Sequence, residues 1–257
     1  MPRKPALPRK LYAKPPLVEV FCEFFFENAQ GQEWDWFVIP RLYSRLKKRF
    51  PTRKHIRSVG VQLRMEPSRG VEHVERLGPP TPRHQFFSED GKSLVQVGEN
   101  LLVVNQLPPY YGWGKFEPLV TECFEVYCKL AKPLRVARSA LHYIDKVDVP
   151  KPEFRLEDYF NLYPILPGSD PVTNLAMAFE LRGAGEGDIM AAAFRQHSSA
   201  NPEGTSFLLQ FDYVATKPME PSLEIVGKWL ETAHEFTSRY FRGTITEECE
   251  KLFHQGD

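Results

Sequence analysis

Leu17-Val-Glu-Val-Phe-Cys-Glu-Phe-Phe-Phe-Glu27 alternates its side chains with a period of two and is rich in Val and Phe. That is the pattern of a half-buried β-strand. Before it, Met1–Lys10 is basic and carries Pro2, Pro5 and Pro8. No apolar run follows that basic stretch, so it does not read as a signal peptide, and residues 1–16 are expected to form a flexible basic arm. After the strand, Pro40 opens a helix, with Leu42, Leu46 and Phe50 as its buried stripe, and Pro51 stops it. Ser58–Met65 alternates as a second strand. Glu66–Arg83, with its glycine, prolines and mixed charge, reads as a long loop. His84–Ser88, Ser93–Val97 and Asn100–Gln106 continue the sheet through turns at Glu89–Lys92 and Gly98-Glu99, and Phe116–Ala131 is a helix.

Arg138–Val149 starts a similar order again. Leu156–Leu162 reads as a short helix, and Thr173–Leu181, Ile189–His197 and Ser206–Ala215 as strands. Glu220–Phe241 is a long helix with Ile225, Trp229, Ala233 and Phe236 inward. Thr246 caps a last helix to His254. The expected class is therefore α+β. Two similar β-α-β(3-4)-α units, residues 17–135 and 136–257, would share one curved antiparallel sheet with helices on one face. The same order of elements occurs in TATA-binding-protein-like repeats, an analogy of fold that transfers no function.

Composition narrows the function classes. Apolar residues make up 42% of the 257, and 33 Lys+Arg balance 33 Asp+Glu, values that exclude a disordered chain. The balance hides a split: residues 1–150 hold 24 Lys/Arg against 16 Asp/Glu, a net of +8, which leaves 9 against 17, a net of −8, for the remainder. No run of about 18 apolar residues is present, so no membrane association is expected. Cys22, Cys123, Cys128 and Cys249 follow no zinc spacing and suit reduced thiols in the cytoplasm.

Patterns for chemistry are sparse. There is no Walker loop, HExxH, GxSxG or EF-hand pattern, so neither a cofactor nor a metal is expected, and the balance leans against an enzyme. Gly183-Ala-Gly-Glu-Gly187 lies between two strands and reads as a hairpin turn, because a phosphate loop needs a helix N-terminus. His142 and Asp145, three apart on a strand, point to opposite faces and cannot pair with each other. His234 sits inside the long helix, where a solvated or capping role is expected.

Two features are unusual. Asn105–Pro118 (NQLPPYYGWGKFEP) gathers aromatics and prolines before a helix, and Asn105, Tyr110, Tyr111, Trp113 and Phe116 are the candidate partner-binding residues. The alternative is a loop folded back to plug the core. The second feature is the acid-free basic run from Arg41 to Arg57. Its Arg41, Arg45, Lys48, Arg49, Arg53 and Lys54 are candidates for phosphate contact, or else form a solvated face.

Several blocks also resemble a sporadically distributed, uncharacterised bacterial family of about 250 residues. These are Pro15–Glu23; Trp34-Asp35 with Pro40 and Phe50-Pro51; Val104-Asn-Gln-Leu-Pro-Pro-Tyr110 with Trp113 and Phe116; Tyr143–Val147; and Phe241 with Ile245-Thr246 and Leu252-Phe253. The chain departs from the family's usual Tyr-Ile-Asn-Arg-Ile by having Asp145 and Lys146. The resemblance implies no established catalytic residue or cofactor, and its patchy distribution points to mobile loci such as anti-phage defence modules.

Three expectations follow. The first is a non-enzymatic protein-binding subunit of a bacterial defence complex, with a protein partner or a second copy of itself docking on the aromatic loop. The second is a nucleic-acid binder using the basic helix and stacking aromatics. The third is a small-molecule-binding protein or an enzyme of unrecognised type, with His142, Tyr143 and Asp145 each meeting partners from distant strands.

Overall fold

The computed structural model describes residues 12–65, 72–150, 153–165, 167, 174–197 and 204–254. Nine strands among them form one antiparallel sheet: β1 (Leu17–Glu27), β2 (Thr52–Met65), β3 (Glu72–Phe87), β4 (Ser93–Gly98), β5 (Leu101–Gln106), β6 (Arg135–Val149), β7 (Ala176–Arg182), β8 (Asp188–His197) and β9 (Thr205–Ala215). The spatial order is β2-β3-β4-β5-β1-β6-β9-β8-β7. The helices are α1 (Val38–Leu46), α2 (Trp113–Ala131), α3 (Leu156–Tyr159), α4 (Leu223–Thr244) and α5 (Glu247–Leu252).

The chain is thus mixed helix and strand around one large antiparallel sheet, as the alternation along it implies. β1 lies at the join, pairing with β5 on one side and β6 on the other. Its even-numbered side chains Val20, Cys22, Phe24 and Phe26 are buried. Phe24 and Phe26 meet Phe124 of α2, and Phe26 stacks on Tyr127 with centroids 4.3 Å apart. The odd-numbered Phe21, Glu23 and Phe25 point the other way, as the pleat requires.

Several elements differ from the sequence reading, beginning with β2, which starts at Thr52, six residues before the expected Ser58. β3 occupies residues 72–87, much of what reads as a loop, while 66–71 lie outside the described residues. β4 pairs only with His84–Phe87, so the rest of β3 has β2 as its one neighbour. Gly78-Pro79-Pro80 falls where the β2–β3 register shifts. An edge and an irregularity are two of the places where a strand tolerates proline. α1 starts at Val38, so Pro40 is its third residue rather than its first. In α4 the buried stripe is Val226, Trp229, Leu230, Ala233 and Phe236, and Ile225 is 38% exposed. α2 begins at Trp113, three residues earlier than expected.

Of the arm expected over 1–16, residues 1–11 lie outside the described residues. Tyr12 packs edge-on against Phe253 and Phe241, the Lys14 amide donates to the Phe253 carbonyl, and the Lys146 amide donates to the Pro16 carbonyl. Residues 12–16 therefore cross the end of β6 beside α4 and α5. The glycine-rich segment forms the β7–β8 turn. A side chain at Gly183 would meet Asp188 Cβ at 2.6 Å, because the turn closes over the buried Asp188–Tyr213 hydrogen bond of 2.8 Å. All four cysteines are free. Among the described residues, no helix is long and apolar enough to cross a membrane.

Candidate functional site

Gly112, at φ 87°, turns the aromatic loop into α2 in a conformation that favours glycine. The turn divides the candidate residues. Tyr111 is 61% exposed, whereas Trp113, Phe116 and Asn105 are buried. Trp113 stacks on His234 of α4 with centroids 4.2 Å apart and planes 6° apart, and its indole N–H donates to Glu231 Oε1 at 2.7 Å. Asn105 donates to Glu19 at 2.7 Å and accepts from Gln96 at 3.0 Å on the sheet. Tyr110 turns inward, and its buried hydroxyl lies beside that of Tyr143 but makes no well-formed hydrogen bond among the described residues. Three of the five side chains singled out for a partner are thus consumed by the fold itself, and only Tyr111 is left facing solvent.

The basic candidates are all exposed, but they do not form one surface. Arg41 pairs with Asp35 at 3.4 Å and Arg49 with Glu122 of α2 at 2.6 Å. Arg53 lies over Tyr43 of α1, while the next residue, Lys54, lies over Phe87 on the opposite face of the sheet. Arg45 projects from α1 and Lys48 from the turn after it, without an ion pair among the described residues.

The groups that do converge line a cavity of about 220 Å³ between β6, α4, residues 12–17 and the inward half of the aromatic loop. Tyr143 and Asp145, two apart on β6, share the face turned toward α4, and both border the cavity. The β1–β6 register shifts between Leu17 and Glu19, with Leu17 opposite Asp145. Such irregularities re-aim side chains. Tyr143 Oη lies 2.8 Å from His234 Nδ1, donating to it when the imidazole carries its proton on Nε2, and Ser238 Oγ is 3.3 Å from the same nitrogen. His234 is therefore part of the cavity wall, sandwiched by Trp113 and held by Tyr143, not the solvated or capping residue expected from its place in a helix. Tyr12, Phe211 and Phe241 supply apolar wall.

Asp145 is the anomaly. It is 5% exposed, and its carboxyl makes no hydrogen bond or ion pair among the described residues. Burial alone pushes it up from the ordinary 3.8 to about 7. Burial also raises Tyr110 to about 12 and lifts Tyr143 well above its ordinary value, so both phenols keep their protons. A carboxyl perturbed by desolvation inside a cavity, with no protein partner, is a mark of a functional site more than of a structural ion pair.

A second polar cluster lies on the face turned away from α2 and α4. His142 stacks on Phe21 at 4.1 Å, its Nδ1 lies 2.7 Å from Asp212 Oδ1, and its Nε2 lies 3.6 Å from Glu23. Burial opposes the imidazolium, but the two carboxylates outweigh it and hold His142 up at about 9. Gln210 and Arg138 complete the network on Asp212 and Glu23. Here every charge meets its opposite, which is how a structural network differs from Asp145. As read from the strand period, His142 and Asp145 occupy opposite faces. Among the described residues no group of three or more His, Cys, Asp or Glu side chains is placed to hold a metal ion.

No protein-family model matches the chain, and a comparison with curated proteins returns no match.

Proposed function

We propose that this protein binds a small organic ligand in the cavity beside β6, with Asp145 as the recognising group. The single observation that carries the reading is the buried, unpartnered carboxyl of Asp145 bordering that cavity. Burying a carboxyl without a partner is unfavourable, and it pushes the group toward its neutral form. A ligand that completes its hydrogen bonds would recover that loss on binding. At about 220 Å³ the cavity is smaller than the roughly 300–1,000 Å³ of drug-sized sites, so the occupant is compact.

A second reading, a protein-binding subunit of a bacterial anti-phage complex, is favoured by Tyr111 at 61% exposure together with Trp36 at 49% and Phe37 at 69%. One preparation separates the two. A thermal-shift screen of small ammonium, carboxylate and neutral ring compounds is expected to return ligands that stabilise the wild type and not Asp145→Asn. No stabilising compound, together with a multimeric mass by light scattering that Tyr111→Ser reduces, would favour the second reading instead.

We also infer that the fold is a duplicated β-α-β(3-4)-α unit with its helices on one face. Its support is the strand order, in which β1 and β6 meet at the centre and the last strand of each half, β5 or β9, lies beside its first. A cytoplasmic setting is part of the same proposal and is supported by the four free thiols.

A further inference from the structure

We propose that the ligand of the Asp145 cavity is a primary ammonium carried on a compact apolar body. The inference rests on the small-ligand reading above and names the chemistry that would satisfy it. Charge is the first argument. Asp145 is the most deeply buried charged group on the cavity wall, and among the described residues its carboxyl has no partner. A neutral alcohol would leave that charge uncompensated, and an anion would have to displace it or keep it protonated. A cation supplies the missing counter-charge.

The second argument is the set of acceptors. Asp145 presents two carboxylate oxygens, and the buried Tyr110 hydroxyl makes no well-formed hydrogen bond among the described residues, with only the Tyr143 hydroxyl beside it. The Tyr143 hydroxyl, near that of Tyr110, donates to His234 Nδ1 when that imidazole carries its proton on Nε2, and in that state it retains lone pairs. A primary ammonium carries three N–H donors and no acceptor, the complement of oxygens gathered around one carboxylate. A quaternary ammonium brings the charge without the donors.

The third argument is the wall. Tyr12, Tyr110, Trp113, Phe211 and Phe241 give the cavity aromatic surface. Such rings attract a cation through their negative faces and bury the hydrocarbon that carries it. Trp113 and His234 hold each other flat, so this wall is already formed before a ligand arrives. Arg242 also borders the cavity, but its Nε donates to the Ser238 carbonyl at 3.2 Å. It is engaged by the protein as Asp145 is not.

The test uses four probes that share a benzyl group and differ only in what it carries: benzylammonium, benzyltrimethylammonium, benzyl alcohol and phenylacetate. Each is titrated calorimetrically into the full chain, into Asp145→Asn and into Tyr110→Phe, with circular dichroism confirming that the variants fold. Benzylammonium is expected to bind the wild type at pH 8 at least about tenfold more tightly than the other three. Asp145→Asn should lose at least about tenfold, and Tyr110→Phe less. Binding should tighten as pH rises through 7 and release a proton that a change of buffer ionisation enthalpy reveals.

Equal binding of benzyl alcohol and benzylammonium, or unchanged benzylammonium binding in Asp145→Asn, overturns the ammonium assignment while leaving the cavity as a site. So does failure of benzylammonium when the wider screen finds a carboxylate or neutral ligand sensitive to Asp145. If no compound of any class binds and Asp145→Asn is no more stable than the wild type, the small-ligand reading itself fails.

Discussion

Asp145 and His142 stand three positions apart on β6, and both have raised pKa values for opposite reasons. Asp145 is deprived of partners, so burial favours its neutral form. His142 is buried too, but Asp212 and Glu23 favour its charged form. The stability consequence of His142 has a definite sign. A group whose folded pKa, about 9, exceeds its ordinary 6.5 contributes stability that is complete below pH 6.5 and is lost as pH rises through 9. The difference corresponds to roughly 3 kcal/mol. Chemical unfolding at pH 6 and pH 10 is expected to show a loss of that order in the wild type and a smaller one in His142→Gln. An equal loss in both would contradict the pairing. The opposed faces of these two residues were legible from strand period alone. Their partners were not, because Asp212 and His234 are supplied by β9 and α4, and only register and helix packing bring them near.

Among the elements, those with strong periodicity were legible and those held by pairing were not. β1 ends where its alternation ends, and Thr246 accepts from the Cys249 amide at 3.2 Å as an N-cap should. β3 carries Gly78, Pro79 and Pro80, local signals for a loop, and is a strand because β2 pairs with it. The aromatic loop was recognised as unusual, but sequence does not tell which side of a loop faces the core; Gly112 and the stacking of Trp113 on His234 decide it. At the other end of α2, Lys132 caps the helix in the left-handed region at φ 49°. Glycine adopts that conformation without a Cβ penalty. Lys132→Gly is expected to stabilise the protein by about 0.5–1 kcal/mol in urea unfolding. Destabilisation would mean that the lysine side chain contributes more than its backbone strain takes away.

Among the described residues, the compensated charges around His142 lie on one face of the sheet and the uncompensated carboxyl of Asp145 lies between the sheet and α4. The class of fold was legible because strand and helix patterns alternate in order. The cavity was not, since it is assembled from residues 12–17, the loop before α2, β6 and α4. If Asp145 is kept for a ligand, the empty protein bears its cost. Its displacement from 3.8 to about 7 corresponds to roughly 4 kcal/mol, absent at pH 4 and complete above pH 7. The most direct measurement is the unfolding free energy of wild type and Asp145→Asn between pH 4 and pH 8, without ligand. The variant should be more stable by a few kcal/mol at pH 8, and the gap should close toward pH 4, where the protonated wild-type side chain resembles Asn. A wild type at least as stable as the variant at pH 8 would mean that the carboxylate is already satisfied by the protein and has no ligand to wait for.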